Sequence, residues 1–265
     1  MDNDAPLFII GDIHGHLEKM IRLLRFANLA NSKAEWVGGA AQLWFMGDFT
    51  DRGPDGIGTL DFVMRLQADA AQKDARVGAL LGNHDVGLLS AHLWRDQRSG
   101  GPGGTFYKDW AKNGGLDSDL ARLETRHIEW IQQLPAMACV NERLLVHADA
   151  LFYLNYGATI QAVNETLARV LQGGAAEYDR LLAYGGDRFA FTEKNAGGVT
   201  RARQFLKQFG GKQIIHGHTP IPVMNGEPYD RVTRAYVYAD GLAVNVDGGI
   251  YKGGVGFVYE AAPLT

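Results

Sequence analysis

Short apolar runs alternate with polar, glycine-rich segments along the first third of the chain, and this alternation predicts a sheet flanked by helices. Three runs have the length and composition of buried strands: 7–10, 42–46 and 77–81. Between them, apolar residues recur at the spacing of one helix face, which predicts helices over 17–28 and 57–72. The order strand, helix, strand, helix, strand indicates an α/β fold with parallel pairing.

Two longer segments interrupt this alternation, at about 94–138 and 150–205. The first contains a glycine-rich loop at 99–104 and a predicted helix over 118–133. The second contains predicted helices near 158–171 and near Tyr178. The remaining apolar runs predict further strands, the last three of them antiparallel: 144–146, 213–215, 236–239, 243–246 and 256–260. Because the polar motifs described below must converge, we expect one domain over 1–265, in which the two segments are insertions that either cap the site or decorate it.

The composition is that of a globular protein: 46% of the residues are hydrophobic and the net charge is -4. The chain lacks the basic excess of duplex-binding proteins, and no stretch approaches the roughly 20 apolar residues of a membrane helix. The first apolar run is too short for a signal peptide. We therefore expect a cytoplasmic protein with neither duplex nucleic acid nor a membrane as partner. The single cysteine, Cys139, lies in the apolar stretch 136–140, which predicts a buried thiol.

Five motifs follow predicted strands, and each contains Asp, Asn or His: GDIHG at 11–15, GDFTDRG at 47–53, GNHD at 82–85, VHA at 146–148 and HGHT at 216–219. In open α/β sheets, ligands bind beyond the carboxyl ends of the strands, so these side chains should meet there. Six of them are candidate metal ligands: Asp12, His14, Asp48, Asn83, His147 and His218. Asp48, directly after a strand, is the natural carboxylate to bridge two cations.

A mixed set of oxygen and nitrogen donors favours transition metals over Ca²⁺. We expect two divalent cations, with Mn²⁺ preferred and iron, zinc, cobalt or nickel also suitable. A paired site of this kind is suited to phosphate ester hydrolysis. Asp12 and His14 are two residues apart, so in an extended segment both would face the same cation. The alternative, a nucleotide-binding loop, requires G-x-G-x-x-G, whereas this motif has glycines only at 11 and 15.

Three further residues of these motifs are candidates for proton transfer and phosphate binding. His84 adjoins a candidate ligand and is placed to protonate a leaving oxygen. Asp51 is the candidate carboxylate that orients the His84 ring. Arg52 can bind phosphate oxygens through its forked guanidinium, the alternative being a surface ion pair.

Together the five motifs resemble those of the calcineurin-like metallophosphoesterases. The DRG continuation resembles the phosphoprotein phosphatase branch, which also contains bacterial diadenosine tetraphosphatases. The likeness covers about residues 7–258 and implies a four-layer αββα sandwich with two metals, often manganese, and a bridging hydroxide as nucleophile. By position it implies two ligand sets that share one residue: Asp12, His14 and Asp48 for one metal, and Asp48, Asn83, His147 and His218 for the other. His84 would be the general acid, supported by Asp51.

The resemblance also implies a second arginine that binds phosphate, from a downstream DRG-like segment. Residues 186–188 match this segment, so Arg188 is the candidate. Three residues of the NVDGGIYKGG stretch resemble the segment that closes the site, and we expect them to be adjacent to it: Asp247, Gly248 and Tyr251.

Two positions need a choice between alternatives. HGHT contains two histidines, and the single ligand of the Gly-His-Thr pattern selects His218 over His216. Asp149 occupies the place of a glycine in the usual pattern, where it could tune metal affinity, repel some substrates or point outward. The other histidines have no expected role in catalysis: His92 and His127 are predicted to lie on helices as surface or packing residues, and His16 is a candidate cap of the first helix.

The favoured function is hydrolysis of phosphoserine or phosphothreonine in proteins. A symmetrical diadenosine tetraphosphatase is the alternative, with the same chemistry and a different pocket. Four aromatic residues of the first insertion could stack a base but are more often core residues: Trp94, Phe106, Tyr107 and Trp110. A non-catalytic scaffold is disfavoured, because none of the six candidate ligands is missing.

Overall fold

The computed structural model describes residues 5–193 and 197–262 together with Leu264. The expected domain, 1–265, also includes residues 1–4, 194–196, 263 and 265, and the second insertion includes 194–196; these residues lie outside the described part of the chain. Within it, the strands are β1 (Leu7–Ile10), β2 (Gln42–Phe45), β3 (Arg76–Ala79), β4 (Met137–Val140), β5 (Arg143–Val146), β6 (Gln213–His216), β7 (Tyr236–Tyr238), β8 (Ala243–Asn245) and β9 (Val258–Ala261). The helices are α1 (Leu17–Phe26), α2 (Gly56–Ala71), α3 (Asn83–Trp94), α4 (Phe106–Lys112), α5 (Asp117–Arg122), α6 (Thr125–Gln132), α7 (Ile160–Leu171), α8 (Ala175–Leu182), α9 (Gly198–Phe209) and α10 (Ile221–Asn225).

The strands form two mixed sheets. The first has the order β3-β2-β1-β9, in which β1 to β3 are parallel and β9 is antiparallel to β1. The second has the order β4-β5-β6-β8-β7, in which β5, β6 and β8 are parallel and the two edge strands are antiparallel to their neighbours. The carboxyl ends of the parallel strands carry the motifs.

An apolar layer joins the two sheets. Leu7 and Ile9 of β1 pack in one cluster with Leu145 of β5, Ile215 of β6 and Val244 of β8. Ile10 belongs instead to the cluster that includes the buried faces of the helices, because successive side chains of a strand alternate between its two faces. Helices therefore cover the outer sides of both sheets, which confirms the four-layer αββα sandwich.

Several predicted elements differ from the observed ones. The helix predicted over 118–133 is two helices, α5 and α6, because the backbone is extended at Leu123 and Glu124, and the Glu124 amide donates to the His127 ring at 3.0 Å to begin α6. The C-terminal runs are not all antiparallel, since β8 is parallel to β6. The sequence pattern did not predict α4, α9 or α10, and it predicted α3 only as a helix that contains His92.

Cys139 is exposed, so the prediction of a buried thiol is wrong. It lies on β4, an edge strand, where Met137 and Val140 are the buried residues. In the part of the chain that the structure describes, no helix combines the length and the apolar character needed to cross a membrane.

Candidate active site

The candidate metal ligands of both sheets meet at the carboxyl ends of the strands. After β1 and β2, His14 Nε2 lies 3.7 Å from Asp48 Oδ2 and 4.0 Å from Asp12 Oδ2. From the second sheet, His147 Nε2 lies 3.5 Å from the other Asp48 oxygen, Oδ1. Asp48 is therefore placed between two groups of donors, with one oxygen toward each.

Asn83 and His218 complete the second group. The side-chain oxygen of Asn83 lies 3.0 Å from His147 Nε2 and 2.9 Å from His218 Nδ1. Within the described residues, two clusters have donor atoms within 4.8 Å of one another: His14, Asp48 and His84, and Asp48, His147 and His218. All six residues predicted as ligands are thus brought together.

The orientation of these side chains fits divalent cations. His14 Nδ1 donates to the carbonyl oxygen of Thr50 at 3.0 Å, and His147 Nδ1 to that of Met46 at 2.7 Å, so each Nε2 is directed toward Asp48. Bonds of this kind typically hold the imidazole ligands of metals. Burial and the neighbouring charges of Asp247 and Asp48 raise the pKa of Asp12. Bound cations would offset this concentration of buried negative charge.

Five candidate site residues have left-handed backbones, with φ between +47° and +67°: His14, Asp48, Asp51, Arg52 and His218. This conformation is uncommon outside glycine and costs about 1–3 kcal/mol per residue, so surrounding contacts must hold it. The expectation of an extended segment from Asp12 to His14 is wrong, because the chain turns at His14. Gly15 continues the turn at φ +68°, where a Cβ would lie 2.8 Å from the carbonyl oxygen of Gly53.

His84 lies beside the carboxylate that was expected to orient it. Its Nδ1 is 2.7 Å from Asp51 Oδ2, and the other Asp51 oxygen accepts a hydrogen bond from the Trp110 indole at 2.7 Å. Burial raises the pKa of Asp51, while the hydrogen bond with His84 lowers it. Trp110 belongs to α4 of the first insertion, so that insertion takes part in building the site.

Arg52 occupies the centre of the site and not a surface position. Its two terminal nitrogens lie 2.9 Å from His14 Nε2 and 2.7 Å from His84 Nε2. The guanidinium carbon is 4.2 Å from the ring centroid of Tyr251, and the Arg52 amide donates to the carbonyl oxygen of Gly114 at 2.7 Å. Tyr251 is therefore adjacent to the site, as the resemblance implied.

A cavity of about 530 Å³ opens over these residues, and both insertions contribute to its walls. The cavity is lined by Asp48, Asn83, His84, Arg52 and His218, by Trp110 from the first insertion, and by Asp179 and Arg188 from the second. Arg188 is exposed in the loop after α8, and its Nε donates to the carbonyl oxygen of Gly186 at 3.1 Å. The second candidate arginine thus faces the same cavity as the first.

His216 and Asp149 point into the protein next to the site. His216 Nε2 lies 2.8 Å from the Tyr238 hydroxyl, outside both donor groups, so the structure favours His218 over His216. Asp149 is completely buried, so the interpretation that it points outward is wrong. Of the other histidines, His92 is exposed and His127 pairs with Asp61 at 2.8 Å. His16 precedes α1 without a side-chain hydrogen bond to the helix.

Asp85 was not singled out in the sequence, although it is the last residue of GNHD. Its Oδ2 accepts from the amides of Asp48 at 3.0 Å and Gly82 at 2.9 Å, and its Oδ1 accepts from Phe49 at 3.0 Å. Asp85 is buried. It therefore ties the loop that carries Asp48 to the beginning of α3, where Asn83 is the first residue.

Replacement of Asp85 by Ala should lower the free energy of unfolding by roughly 3 kcal/mol or more, because three buried amides lose an acceptor at about 1–3 kcal/mol each. Urea unfolding of the metal-free protein measures this change. The exposed Asp96, changed to Ala, is the matched control and should have little effect. Equal stability of the two variants would contradict this role of Asp85.

Comparison with known proteins identifies the class to which this fold and site belong. Residues 5–222 match the family of calcineurin-like phosphoesterases. The chain belongs to this family, whose members hydrolyse phosphoesters with divalent metal ions.

Two sequence relatives and one solved structure are similar to this chain. The chain is 37% identical over 82 residues to Shewanella-like protein phosphatase 1 of Plasmodium berghei. This alignment covers 31% of the chain and 23% of the Plasmodium protein. It is 35% identical over 142 residues to the symmetrical bis(5'-nucleosyl)-tetraphosphatase of Vibrio cholerae, covering 53% and 43%. Its fold is similar to that of a cold-active protein-tyrosine phosphatase of a psychrophilic Shewanella species, with a TM-score of 0.73, 19% identity, and coverage of 96% and 74%.

The alignments to the two sequence relatives thus span less than half of each relative. The Shewanella-like phosphatases support the phosphoprotein phosphatase branch, as the DRG motif indicated. The structural likeness, at 19% identity, bears on the fold alone.

Proposed function

We propose that this chain is a metal-dependent phosphomonoesterase that acts on phosphorylated proteins. The observation that carries the proposal is the convergence of two donor groups, joined by Asp48, on one cavity that also contains His84 and Arg52. Donors for two adjacent cations, a proton donor and a guanidinium fork are the groups that phosphoester hydrolysis requires.

The ligand sets are proposed by position. Asp12, His14 and Asp48 would hold one cation, and the second set would be Asp48, Asn83, His147 and His218. We expect Mn²⁺ in both positions. When bound, the cations supply Lewis-acid activation of the phosphate and of the attacking water.

The protein's own groups act on the phosphate and on the leaving oxygen. His84 would donate the proton from Nε2, since its Nδ1 is engaged by Asp51, and Arg52, whose terminal nitrogen lies 2.7 Å from that Nε2, would turn from it to the phosphate. Arg52 would bind phosphate oxygens, and the Tyr251 ring beneath its guanidinium limits the directions that it can adopt. Arg188, on the opposite insertion, would supply a second guanidinium to the same cavity.

The walls of the cavity support a phosphorylated protein as the substrate. Of the four aromatic residues considered for stacking a base, Phe106 and Trp110 border the cavity but are almost completely buried, and Trp94 and Tyr107 do not line it. The cavity is open and bordered by both insertions, which suits a phosphorylated side chain on a larger molecule. The similarity to a symmetrical tetraphosphatase is the observation that supports a second candidate, a dinucleoside polyphosphate hydrolase. A cytoplasmic location and the lack of nucleic-acid and membrane partners stay predictions from composition.

A substrate panel with added Mn²⁺ tests this proposal. Phosphoserine, phosphothreonine and phosphotyrosine peptides would be compared with diadenosine tetraphosphate and with nitrophenyl phosphate. We expect at least one phosphopeptide to show a higher kcat/KM than the dinucleotide. A preference for the dinucleotide would establish the second candidate instead. No turnover of any compound would support a scaffold and overturn both.

Replacement of Arg52 or Arg188 by Ala should weaken phosphate binding and leave the metals bound, because each change removes a guanidinium and no metal ligand. A hydrogen bond to a charged group contributes about 1.5–3 kcal/mol, so the inhibition constant for inorganic phosphate should rise about 10- to 100-fold. Arg22→Ala, on the exposed side of α1, is the control. An unchanged inhibition constant in Arg188→Ala would remove Arg188 from the site.

A further inference from the structure

Asp149 is hydrogen-bonded to the segment that carries Arg188. The residue lies three positions after the end of β5, and its Oδ2 accepts a hydrogen bond from the amide of Phe189 at 2.9 Å. The main-chain oxygen of Asp149 accepts from the next amide, that of Ala190, also at 2.9 Å. The residue directly after Arg188 is thus held against the end of the second sheet.

The backbone at Phe189 needs such support. Its φ is +67°, a left-handed conformation that is rare for a large side chain and persists only when surrounding contacts hold it. Because the conformation of Phe189 sets the direction of the chain at Arg188, it also sets where the guanidinium can reach. The Asp149 carboxylate is therefore well placed to fix the direction of the arginine.

Asp149 is itself held by a residue of β7 and by a residue of the loop that follows β6. Its Oδ1 accepts from the Thr219 hydroxyl at 3.3 Å, and its Oδ2 accepts from the Tyr238 hydroxyl at 3.3 Å. Tyr238 lies on β7 and is 2.8 Å from His216 Nε2, at the end of β6. All these side chains except Tyr238 are fully buried, and together they connect the Arg188 segment to the rigid sheet.

We propose that Asp149 is a positioning residue that fixes Arg188 for phosphate binding, with Tyr238 and His216 as its support. The inference rests on the proposed function, since Arg188 has a role only if the cavity binds phosphate. This role differs from both metal tuning and substrate repulsion, the two interpretations in which Asp149 acts directly on the site. The Asp149 carboxylate is instead bonded to the Phe189 amide and the Thr219 hydroxyl.

Amide hydrogen exchange tests the connection without metal or substrate. In Asp149→Ala the amide of Phe189 should exchange about tenfold faster or more, because it loses a charged acceptor. The Ala190 amide donates to a main-chain oxygen that the substitution retains, so its exchange should change less. Asp149→Asn keeps a side-chain oxygen and should restore most of the protection. Tyr236→Phe removes a hydroxyl from the same strand that is not bonded to Asp149, so this matched control should leave the Phe189 amide within about twofold of the wild type. Unchanged exchange at Phe189 in Asp149→Ala would overturn the proposal.

Inhibition by inorganic phosphate tests the consequence in the manganese-loaded protein. The inhibition constant should rise about tenfold in Asp149→Ala, and Asp149→Asn should restore it to within about threefold of the wild type. If Asp149 acts through Arg188, the double variant Asp149→Ala, Arg188→Ala should be no weaker than Arg188→Ala alone.

Three outcomes would contradict the proposal. Additive losses in the double variant would show that Asp149 acts independently of Arg188. Loss of manganese in Asp149→Ala, with normal exchange at Phe189, would show that it tunes metal affinity. If the wild type neither hydrolysed phosphoesters nor bound phosphate, the proposed function would fail, and positioning for phosphate would fail with it. In that case, faster exchange at Phe189 in Asp149→Ala would show only that the hydrogen bond is structural. The exchange measurement therefore distinguishes failure of the positioning role from failure of the proposed function.

Discussion

Asp48→Asn is expected to remove most of the bound metal and nearly all of the activity. The two Asp48 oxygens lie on opposite sides, 3.5 Å from His147 Nε2 and 3.7 Å from His14 Nε2, so the charge serves both cations. Replacing a residue that only hydrogen-bonds to a metal ligand already lowers metal affinity about 10- to 100-fold. Loss of a shared charged ligand should cost about 100-fold or more for each cation.

Asn83→Ala provides the comparison for this variant. Asn83 offers one neutral oxygen to the second group only, so its replacement should lower the metal content less than Asp48→Asn does. The wild type should lose activity on chelation and regain it best with Mn²⁺. Equal metal losses in the two variants would argue against the bridging position of Asp48.

His84→Asn should show a loss of activity that depends on the leaving group. The cations activate the attacking water, so His84 is needed only where the leaving oxygen must be protonated. A serine-type alkoxide leaves poorly without a proton, whereas a nitrophenolate leaves well. General acid catalysis typically contributes about 10²- to 10⁴-fold. We therefore expect a loss of about that size in kcat for alkyl phosphates and a clearly smaller loss for aryl phosphates.

Asp51→Asn should show the same order of losses more weakly, because Asp51 acts through the orientation of the His84 ring. Metal content must be measured in both variants, since His84 adjoins Asn83. Equal losses of His84→Asn on both types of substrate, with metal intact, would indicate that His84 stabilises the phosphoryl group and is not the acid.

The first strands and helices could be predicted from the sequence because each has a distinct pattern. The strands are short apolar runs, and the helices have apolar residues at the spacing of one helix face. Strands β1 to β3 and helices α1 and α2 were predicted to within about two residues at their ends. A helix was expected at His92, but the start of α3 was not predicted, because α3 begins inside the GNHD motif and is apolar on several sides, where it packs against α4 and α8. A helix without a polar face does not show the alternation of apolar and polar positions from which an amphipathic helix is predicted.

The predicted ligands could be found because each lies in a short motif at a strand end. Their supporting residues could not, since these act across long distances in sequence. Trp110 is 59 residues from the Asp51 that it contacts, and Phe189 is 40 residues from Asp149. The left-handed backbones at Asp48 and Arg52 likewise depend on tertiary contacts, because neither residue type favours that conformation strongly enough to indicate it.

Manganese bound per chain, measured by equilibrium dialysis together with hydrolysis of a phosphomonoester, tests the dinuclear phosphoesterase site most directly. We expect two cations per wild-type chain and full activity only when both are bound. In Asp48→Asn we expect the loss of most of the metal and nearly all of the activity at the same free Mn²⁺ concentration. Full hydrolysis by metal-free protein, or two cations and normal turnover in Asp48→Asn, would contradict the proposed site.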